Sequence, residues 1–254
     1  MIDTHSHVLY GLDDGAKTAE ESMEILQAYY TQGVHHIITT SHAHKGKWHV
    51  PCAEINRVIN SLSEELKSAN IPITLHTGHE ITIFESLVEQ LEAKQLYTLA
   101  NSRYVLIELP STFIPHFTLD VFQQLFQHGY VPIIAHPERN QVFMDDPNRL
   151  EDFIRLGVFT QITTGSIVGS YGQDVKHCAW DLLDRQLIHL IGSDVHDSTK
   201  RMIYFEEAKT LLHKKKKDDY FYFLKQNNER LFENKQLIAL EPTVPKKKKW
   251  WHIL

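Results

Sequence analysis

The chain has 254 residues, 42% hydrophobic and 23% charged, with a formal net charge of −6. That supports one large core of the size common in α/β barrels, while the acidic balance argues against nucleic acid as a main partner, since phosphate backbones select basic faces. Two cysteines cannot build a disulfide framework, no apolar run reaches membrane-spanning length, and His5 lies too close to Met1 for a cleaved leader, so the expected location is the cytoplasm.

Seven short apolar runs read as strands: Met1 to His7, His35 to Thr40, Ile73 to Ile81, Tyr104 to Leu109, Val131 to His136, Val158 to Thr163, and Leu187 to Gly192. They are continuous rather than alternating, as expected for parallel strands covered on both faces. Helical stripes lie between them, such as Ile55, Val58, Ile59, Leu62 and Leu66, or Val175, Cys178, Ala179, Leu182 and Leu183. Thr18-Ala-Glu-Glu21 looks like a capping box. Gly33, Gly129 and Gly157 stand where helices turn into strands, and glycine is the least strained residue for a left-handed C-cap. The domain is expected over residues 1–240, with residues 241–254 a flexible basic and aromatic tail.

Chemistry-bearing side chains follow these runs. His5 and His7 are two apart and project from one face of a strand. His42, Glu80, Glu108 and His136 end the next four runs, and Asp194-Val-His196 repeats the same-face spacing after the last. With 17 histidines in the chain, a single His-x-His pair says little, and His42 and His44 form another. The signal is placement. Glu80 and Glu108 follow apolar runs, where an unpaired charge would be costly. Six of seven strands carry a candidate at the C-terminal end; an open sheet would spread these apart, whereas a barrel gathers them around one mouth. A seven-stranded barrel holding a metal cluster follows, with hydrolysis as its chemistry.

In order and spacing, Met1-Ile-Asp-Thr-His-Ser-His, Gly11-Leu-Asp-Asp-Gly-Ala, Thr40-Ser-His42, Gly78-His-Glu80-Ile, Ile107-Glu108-Leu-Pro, His136-Pro-Glu-Arg139, Gly165-Ser-Ile-Val-Gly169 and Gly192-Ser-Asp-Val-His196 resemble the polymerase and histidinol phosphatase (PHP) superfamily. Within it, the chain is similar to the manganese-dependent tyrosine phosphatases of capsule and exopolysaccharide loci (CpsB/YwqE type). The resemblance implies an α/β fold, a distorted seven-stranded (β/α)7 TIM-like barrel, and three metal sites. One would use His5, His7, Glu80 and Asp194. A second would share Glu80 and add Glu108 and His136. The third would take Asp14, His42 and His196, with Asp13 competing for the place of Asp14. His79 departs from the glutamine frequent at that position, and His44 is an additional imidazole. Manganese is the implied cofactor; mixed nitrogen and oxygen donors suit iron or zinc as well.

The resemblance also implies phosphotyrosine hydrolysis on a membrane-associated bacterial tyrosine autokinase that controls polysaccharide synthesis. Arg139 occupies the family's phosphate-binding position and Arg201 is a second candidate, since arginine forks match phosphate geometry. His42 or His196 could lend a proton to the leaving group. The rival readings are a small-molecule phosphatase of the histidinol phosphate kind and a non-catalytic kinase regulator. A thiol route requires Cys-x5-Arg, and neither Cys52 nor Cys178 is followed by arginine at that spacing; no Asp-x-Asp motif occurs. The basic runs Lys214 to Lys217 and Lys246 to Lys249, the latter before Trp250-Trp251, read as solvated charge or as a weak contact with an anionic membrane surface.

Overall fold

A computed structural model describes residues 1–243. Seven parallel strands pair in chain order: β1 (Ile2–Ser6), β2 (His36–Ala43), β3 (Thr74–Thr82), β4 (Tyr104–Glu108), β5 (Val131–Ala135), β6 (Phe159–Thr163) and β7 (Leu190–Gly192). The helices are α1 (Ala19–Thr31), α2 (Cys52–Ser68), α3 (Leu87–Glu92), α4 (Thr118–Gln127), α5 (Gln141–Asp145), α6 (Asn148–Arg155), α7 (Thr164–Val168), α8 (Gln173–Asp184), α9 (Phe205–Lys214) and α10 (Asp218–Phe232). The sheet curls until its first and last strands meet. Ser6 and Val195 form a parallel bridge, the Asp194 amide donates to His5 O at 2.9 Å, and the His7 amide donates to Val195 O at 3.0 Å. The expected barrel is present, nearly closed.

Local signals hold with two instructive differences. Thr18 caps α1 by accepting from the Glu21 amide at 3.2 Å, and Glu21 reaches back to the Lys17 amide at 2.7 Å. Gly33, Gly129 and Gly157 adopt φ of 71°, 79° and 97°. Strand β2, however, runs three residues beyond the expected Thr40, because its ladder with β3 continues through His42↔Glu80 and Ala43↔Ile81. Strand β7 starts three residues late. The Tyr220 hydroxyl of α10 takes over the backbone of Ile188, accepting from its amide at 3.2 Å and donating to its carbonyl at 2.8 Å.

The core has two layers. Most buried side chains lie between strands and helices. A smaller cluster fills the barrel, where Ile38, Leu106, Ile133 and Leu190 meet Leu231 and Leu237. Helix α10 therefore packs against the barrel interior as well as its flank. Its Asn228 amide donates to Ile2 O at 3.1 Å and Ile191 O at 2.7 Å and accepts from the Ile191 amide at 3.3 Å. One buried side chain thus ties β1 to β7. Thr243 is bound to the turn after α8, its amide donating to Arg185 O at 2.8 Å and its hydroxyl to Asp184 O at 3.0 Å. The remainder of the expected tail, residues 244–254, lies outside the described residues. Among the described residues no helix is long and apolar enough to cross a membrane.

Two stability predictions follow from buried polar groups. Asn228→Ala removes three hydrogen bonds at the barrel seam and should cost about 3 kcal/mol in urea unfolding, at roughly 1 kcal/mol per bond. A loss below about 0.5 kcal/mol would refute the seam role. His189 is buried with Nδ1 2.9 Å from Thr160 Oγ1, and burial pushes its pKa down to about 4. The unfolded chain then binds this proton more tightly than the folded one, so stability is full above about 6.5 and falls as pH drops toward 4. His189→Gln should flatten that slope in unfolding curves measured from pH 7 to 4.

Candidate metal centre

Because every strand is parallel, residues at the C-terminal ends of β1 to β5 and just beyond β7 share the mouth of the barrel. His5 and His7 extend there from β1 with their Nε2 atoms 3.3 Å apart. His5 Nε2 is 3.5 Å from Glu80 Oε2 and 3.3 Å from Asp194 Oδ1; His7 Nε2 is 3.3 and 3.4 Å from the same atoms. A second group joins His7, Asp14, His42 and His196, with Asp14 Oδ1 at 3.1 Å from His42 Nε2 and 3.3 Å from His196 Nε2. In a third, His42 meets Glu80 and Glu108. His136 belongs beside it, with Nε2 2.6 Å from Glu80 Oε1 and 3.9 Å from Glu108 Oε1. All nine residues expected as ligands converge. Adjacent groups share His7, His42 or Glu80.

The donor set fits divalent cations. Asp14 Oδ1, His42 Nδ1, His42 Nε2 and His196 Nε2 are buried without a hydrogen-bond partner, although Asp14 Oδ1 lies 3.1 and 3.3 Å from the two Nε2 atoms and His42 Nδ1 lies 3.0 Å from Glu80 Oε2. Lone pairs that approach without hydrogen-bond geometry are what ligands around an ion present. Protonation states divide: against the opposing effect of burial, Asp13 raises His7 well above its usual value and Glu80 raises His42, so an ion there displaces protons. Burial, then the neighbouring His7 charge, holds His196 near 4, and burial with Arg139 lowers His136, leaving both neutral at pH 7. Burial opposes ionisation of Glu80 and Asp194, yet surrounding imidazoles and guanidinium groups keep both carboxyls well below their usual range.

Other side chains aim these donors. Asp13 Oδ2 lies 2.9 Å from His7 Nδ1 and accepts from the His42 amide at 3.0 Å, while Oδ1 accepts from the Gly15 amide at 2.9 Å. Burial opposes its charge, but His7 and that amide outweigh it and bring the carboxyl to about 2. Asp13 and Asp14 are thereby separated: Asp14 faces the cluster and Asp13 orients His7. Gly15 is required here, since a Cβ would lie 2.0 Å from His7 O. Gln161 of β6, the strand without a candidate ligand, places Oε1 2.8 Å from His5 Nδ1. Asp3 accepts from the Ser193 amide at 3.0 Å, the Ser193 hydroxyl at 2.6 Å and the Tyr29 hydroxyl. That fixes the turn in which Asp194 takes φ 53°; His136 is also left-handed at 33°. Non-glycine residues held so are characteristic of functional sites.

Basic groups rim the cluster. Arg139 Nη2 and Arg201 Nη2 both donate to Asp194 Oδ2, at 2.6 and 2.9 Å, and the Nε of each is buried without a partner. The Tyr171 ring lies 4.8 Å from the Arg139 guanidinium carbon and 5.8 Å from that of Arg201. On the other side, Lys45 Nζ donates to Glu108 Oε1 at 2.7 Å, its backbone pinned by reciprocal bonds with Trp48. A cavity of about 150 Å³ opens beside Glu108, His136 and Arg139. Sequence reading missed Gln161, Tyr171, Lys45 and Asp3; only Asp3, inside the Asp-x-His-x-His run, had a local signal. His79 stays out of the cluster: one ring nitrogen lies 2.8 Å from Val50 O and the other accepts from the Tyr97 amide at 2.9 Å. His44 stacks on Phe84 at 3.7 Å.

The profile of a family described as "Capsular polysaccharide synthesis, CpsB/CapC" matches residues 1–233. Tyrosine-protein phosphatase YwqE of Bacillus subtilis (strain 168) is 33% identical over 249 residues, 98% of each chain. Tyrosine-protein phosphatase CpsB of Streptococcus pneumoniae is 32% identical over 219 residues, 84% of this chain and 90% of that one. The putative tyrosine-protein phosphatase CapC of Staphylococcus aureus is 33% identical over 201 residues, 79% of each. In three dimensions the chain superimposes with a TM-score of 0.93, at 33% identity, on a solved structure from work on YwqE and CpsB as "unique metal-dependent tyrosine phosphatases", covering 97% of this chain and 100% of that one.

Asp13→Asn keeps the side chain's shape and removes its charge from His7. Partners that orient a ligand are worth about 10–100-fold in metal affinity. Calorimetric titration with manganese should show a loss of that size with the circular dichroism spectrum intact; unchanged affinity would remove Asp13 from the centre.

Proposed function

This chain belongs to the CpsB/CapC capsular polysaccharide synthesis family, and on that premise we propose that its barrel mouth hydrolyses phosphotyrosine with divalent cations held by His5, His7, Asp14, His42, Glu80, Glu108, His136, Asp194 and His196. It is a metal-dependent tyrosine phosphatase, as its relatives are named. The observation that carries the site assignment is the overlap of three donor groups beside two arginines whose buried Nε atoms lack partners. Manganese is the proposed ion. The substrate is a phosphotyrosine protein of capsule or exopolysaccharide synthesis, a membrane-associated tyrosine kinase being the proposed partner. The cytoplasm, where Cys52 and Cys178 stay reduced, is the proposed location.

Bound divalent cations supply charge neutralisation and water activation at neutral pH. The chain's own residues supply the rest. Ionised carboxylates and the neutral His136 and His196 hold the cations without a proton in competition, whereas His7 and His42, raised against burial by neighbouring carboxylates, release theirs when an ion binds. Arg139 and Arg201 present N–H groups to phosphoryl oxygens while Asp194 keeps both guanidinium groups aligned before substrate arrives, so little ordering remains when it binds. The Tyr171 ring lies against them. A tyrosine phenol has a pKa near 10, so the phenolate leaves with little assistance, and His42 and His196 serve as ligands here. A cysteine nucleophile is unsuited: burial pushes the Cys178 thiol up to about 12 and raises that of Cys52.

The protein loaded with manganese should release phosphate from a phosphotyrosine peptide, and a chelator should abolish this. Arg139→Ala should lower kcat/KM by about 10²–10³, the scale for losing one preorganised donor, whereas Cys52→Ser and Cys178→Ser should retain activity. Chelator-resistant turnover would refute the metal reading. Faster turnover of histidinol phosphate than of the peptide would replace the substrate class.

A further inference from the structure

Strand β6 holds none of the nine proposed donors, yet the segment that follows it reaches the mouth. Thr163 ends the strand, and α7 leads into a turn between Gly169 and Gly172, both left-handed at φ 97° and 98°. The turn folds back on Gly165. The amides of Gly169 and Ser170 both donate to its carbonyl at 2.9 Å, and Ser170 Oγ does so at 3.0 Å. Lys176 Nζ closes the far side on Val168 O at 3.0 Å. Tyr171 stands inside this turn. A Cβ on Gly165 would lie 2.8 Å from Tyr171 Cε2 and 2.7 Å from Ser170 Oγ, so residue 165 has to be glycine for the ring to sit where it does. Both glycines of Gly165-Ser-Ile-Val-Gly169, a motif the metal centre leaves unused, thus serve to seat Tyr171.

The ring lies against the arginines. Its centre is 4.8 Å from Arg139 Cζ and 5.8 Å from Arg201 Cζ, both within the ~6 Å reach of a cation–π contact. Those guanidinium groups share a single acceptor, Asp194 Oδ2, and as like charges they repel. One oxygen fixes where their Nη2 atoms meet but leaves each plane free to turn, and a flat ring within reach of both restricts that freedom. The Tyr171 hydroxyl adds little: it reaches the same oxygen at 3.4 Å, long beside 2.6 and 2.9 Å. The seat is also tied to Arg139 from behind. Glu138, fully buried and next in sequence, accepts from the Thr163 amide and hydroxyl at 3.0 Å each, joining the start of α7 to the turn that bears Arg139. Among the described residues the buried Nε of each arginine has no acceptor, and a donor so left is open to an anion.

We propose that Tyr171 is a positioning residue for phosphoryl recognition, its ring holding Arg139 and Arg201 as one clamp that receives a single phosphoryl group. Tyr171 acts through the arginines, so its part depends on the phosphate role already given to them. Without the ring, both side chains would have to be ordered as substrate binds, and that ordering weakens binding.

The test uses the manganese-loaded protein with two readouts, calorimetric titration with inorganic phosphate and turnover of a phosphotyrosine peptide. Tyr171→Leu should weaken phosphate binding and lower kcat/KM by about 5–30-fold, the scale of cation–π contacts partly shielded from water. Tyr171→Phe, which keeps the ring, should recover most of both. In the Arg139→Ala, Arg201→Ala background, Tyr171→Leu should weaken phosphate binding no further. An equal loss in that background would overturn the proposal. So would a Tyr171→Phe variant as impaired as Tyr171→Leu, or a parallel fall in manganese affinity, which would place the effect of the ring on the ion donors. Circular dichroism checks the fold of each variant, and Tyr171→Met serves the same comparison if leucine disturbs it. Phosphate binding by a parent that left the peptide intact would sink the phosphotyrosine reading, while the phosphate titrations would still decide the part of Tyr171.

Discussion

The arrangement depends on Glu80, a carboxylate buried at the end of β3 with four imidazoles around it. His5, His7, His42 and His136 each approach its oxygens within 3.5 Å, and Arg139 stands nearby. That many imidazoles share a water-poor space only beside negative charge, and Glu80 provides it. Because it contributes to two donor groups, its position sets the spacing of the whole centre.

The fold serves that carboxylate in two ways. Pairing β2 with β3 in register through His42↔Glu80 sets these two side by side without a loop between them. Closure of β1 on β7 then brings in His5, His7 and Asp194 from opposite ends of the sequence. The seam is made of few backbone bonds, so side chains complete it: Asp3 on Ser193 and Asn228 on Ile2 and Ile191. The left-handed backbone at His136 and Asp194 costs roughly 1–3 kcal/mol per residue, and this scaffold holds both in place.

Much of this could be read in the sequence for a definite reason. A parallel barrel makes each strand a continuous apolar run, and each run is followed at once by the residue that reaches the mouth, so strand and ligand appear together in one line of text. What escaped has the opposite character. Gln161 acts on His5 from 156 positions away, and Asp194 meets Arg139 from 55 positions away, contacts that no local pattern encodes. Asp13 and Asp14 are chemically identical and adjacent; only the direction of each side chain separates the orienting residue from the one facing the cluster. The end of β2 was misplaced because Ser41 and His42 are polar, and a polar residue inside a barrel mouth looks like a strand end.

Asp194 joins the imidazole side of the cluster to its arginine rim through one carboxylate. Its Oδ1 faces His5 and His7 at 3.3 and 3.4 Å, while its Oδ2 takes Arg139 and Arg201 at 2.6 and 2.9 Å. An ion held by Oδ1 would draw charge from the same carboxylate that aligns the two guanidinium groups through Oδ2, so the two ligands would share one buried group. By linkage any effect of the ion on the phosphate would be matched in free energy by that of the phosphate on the ion.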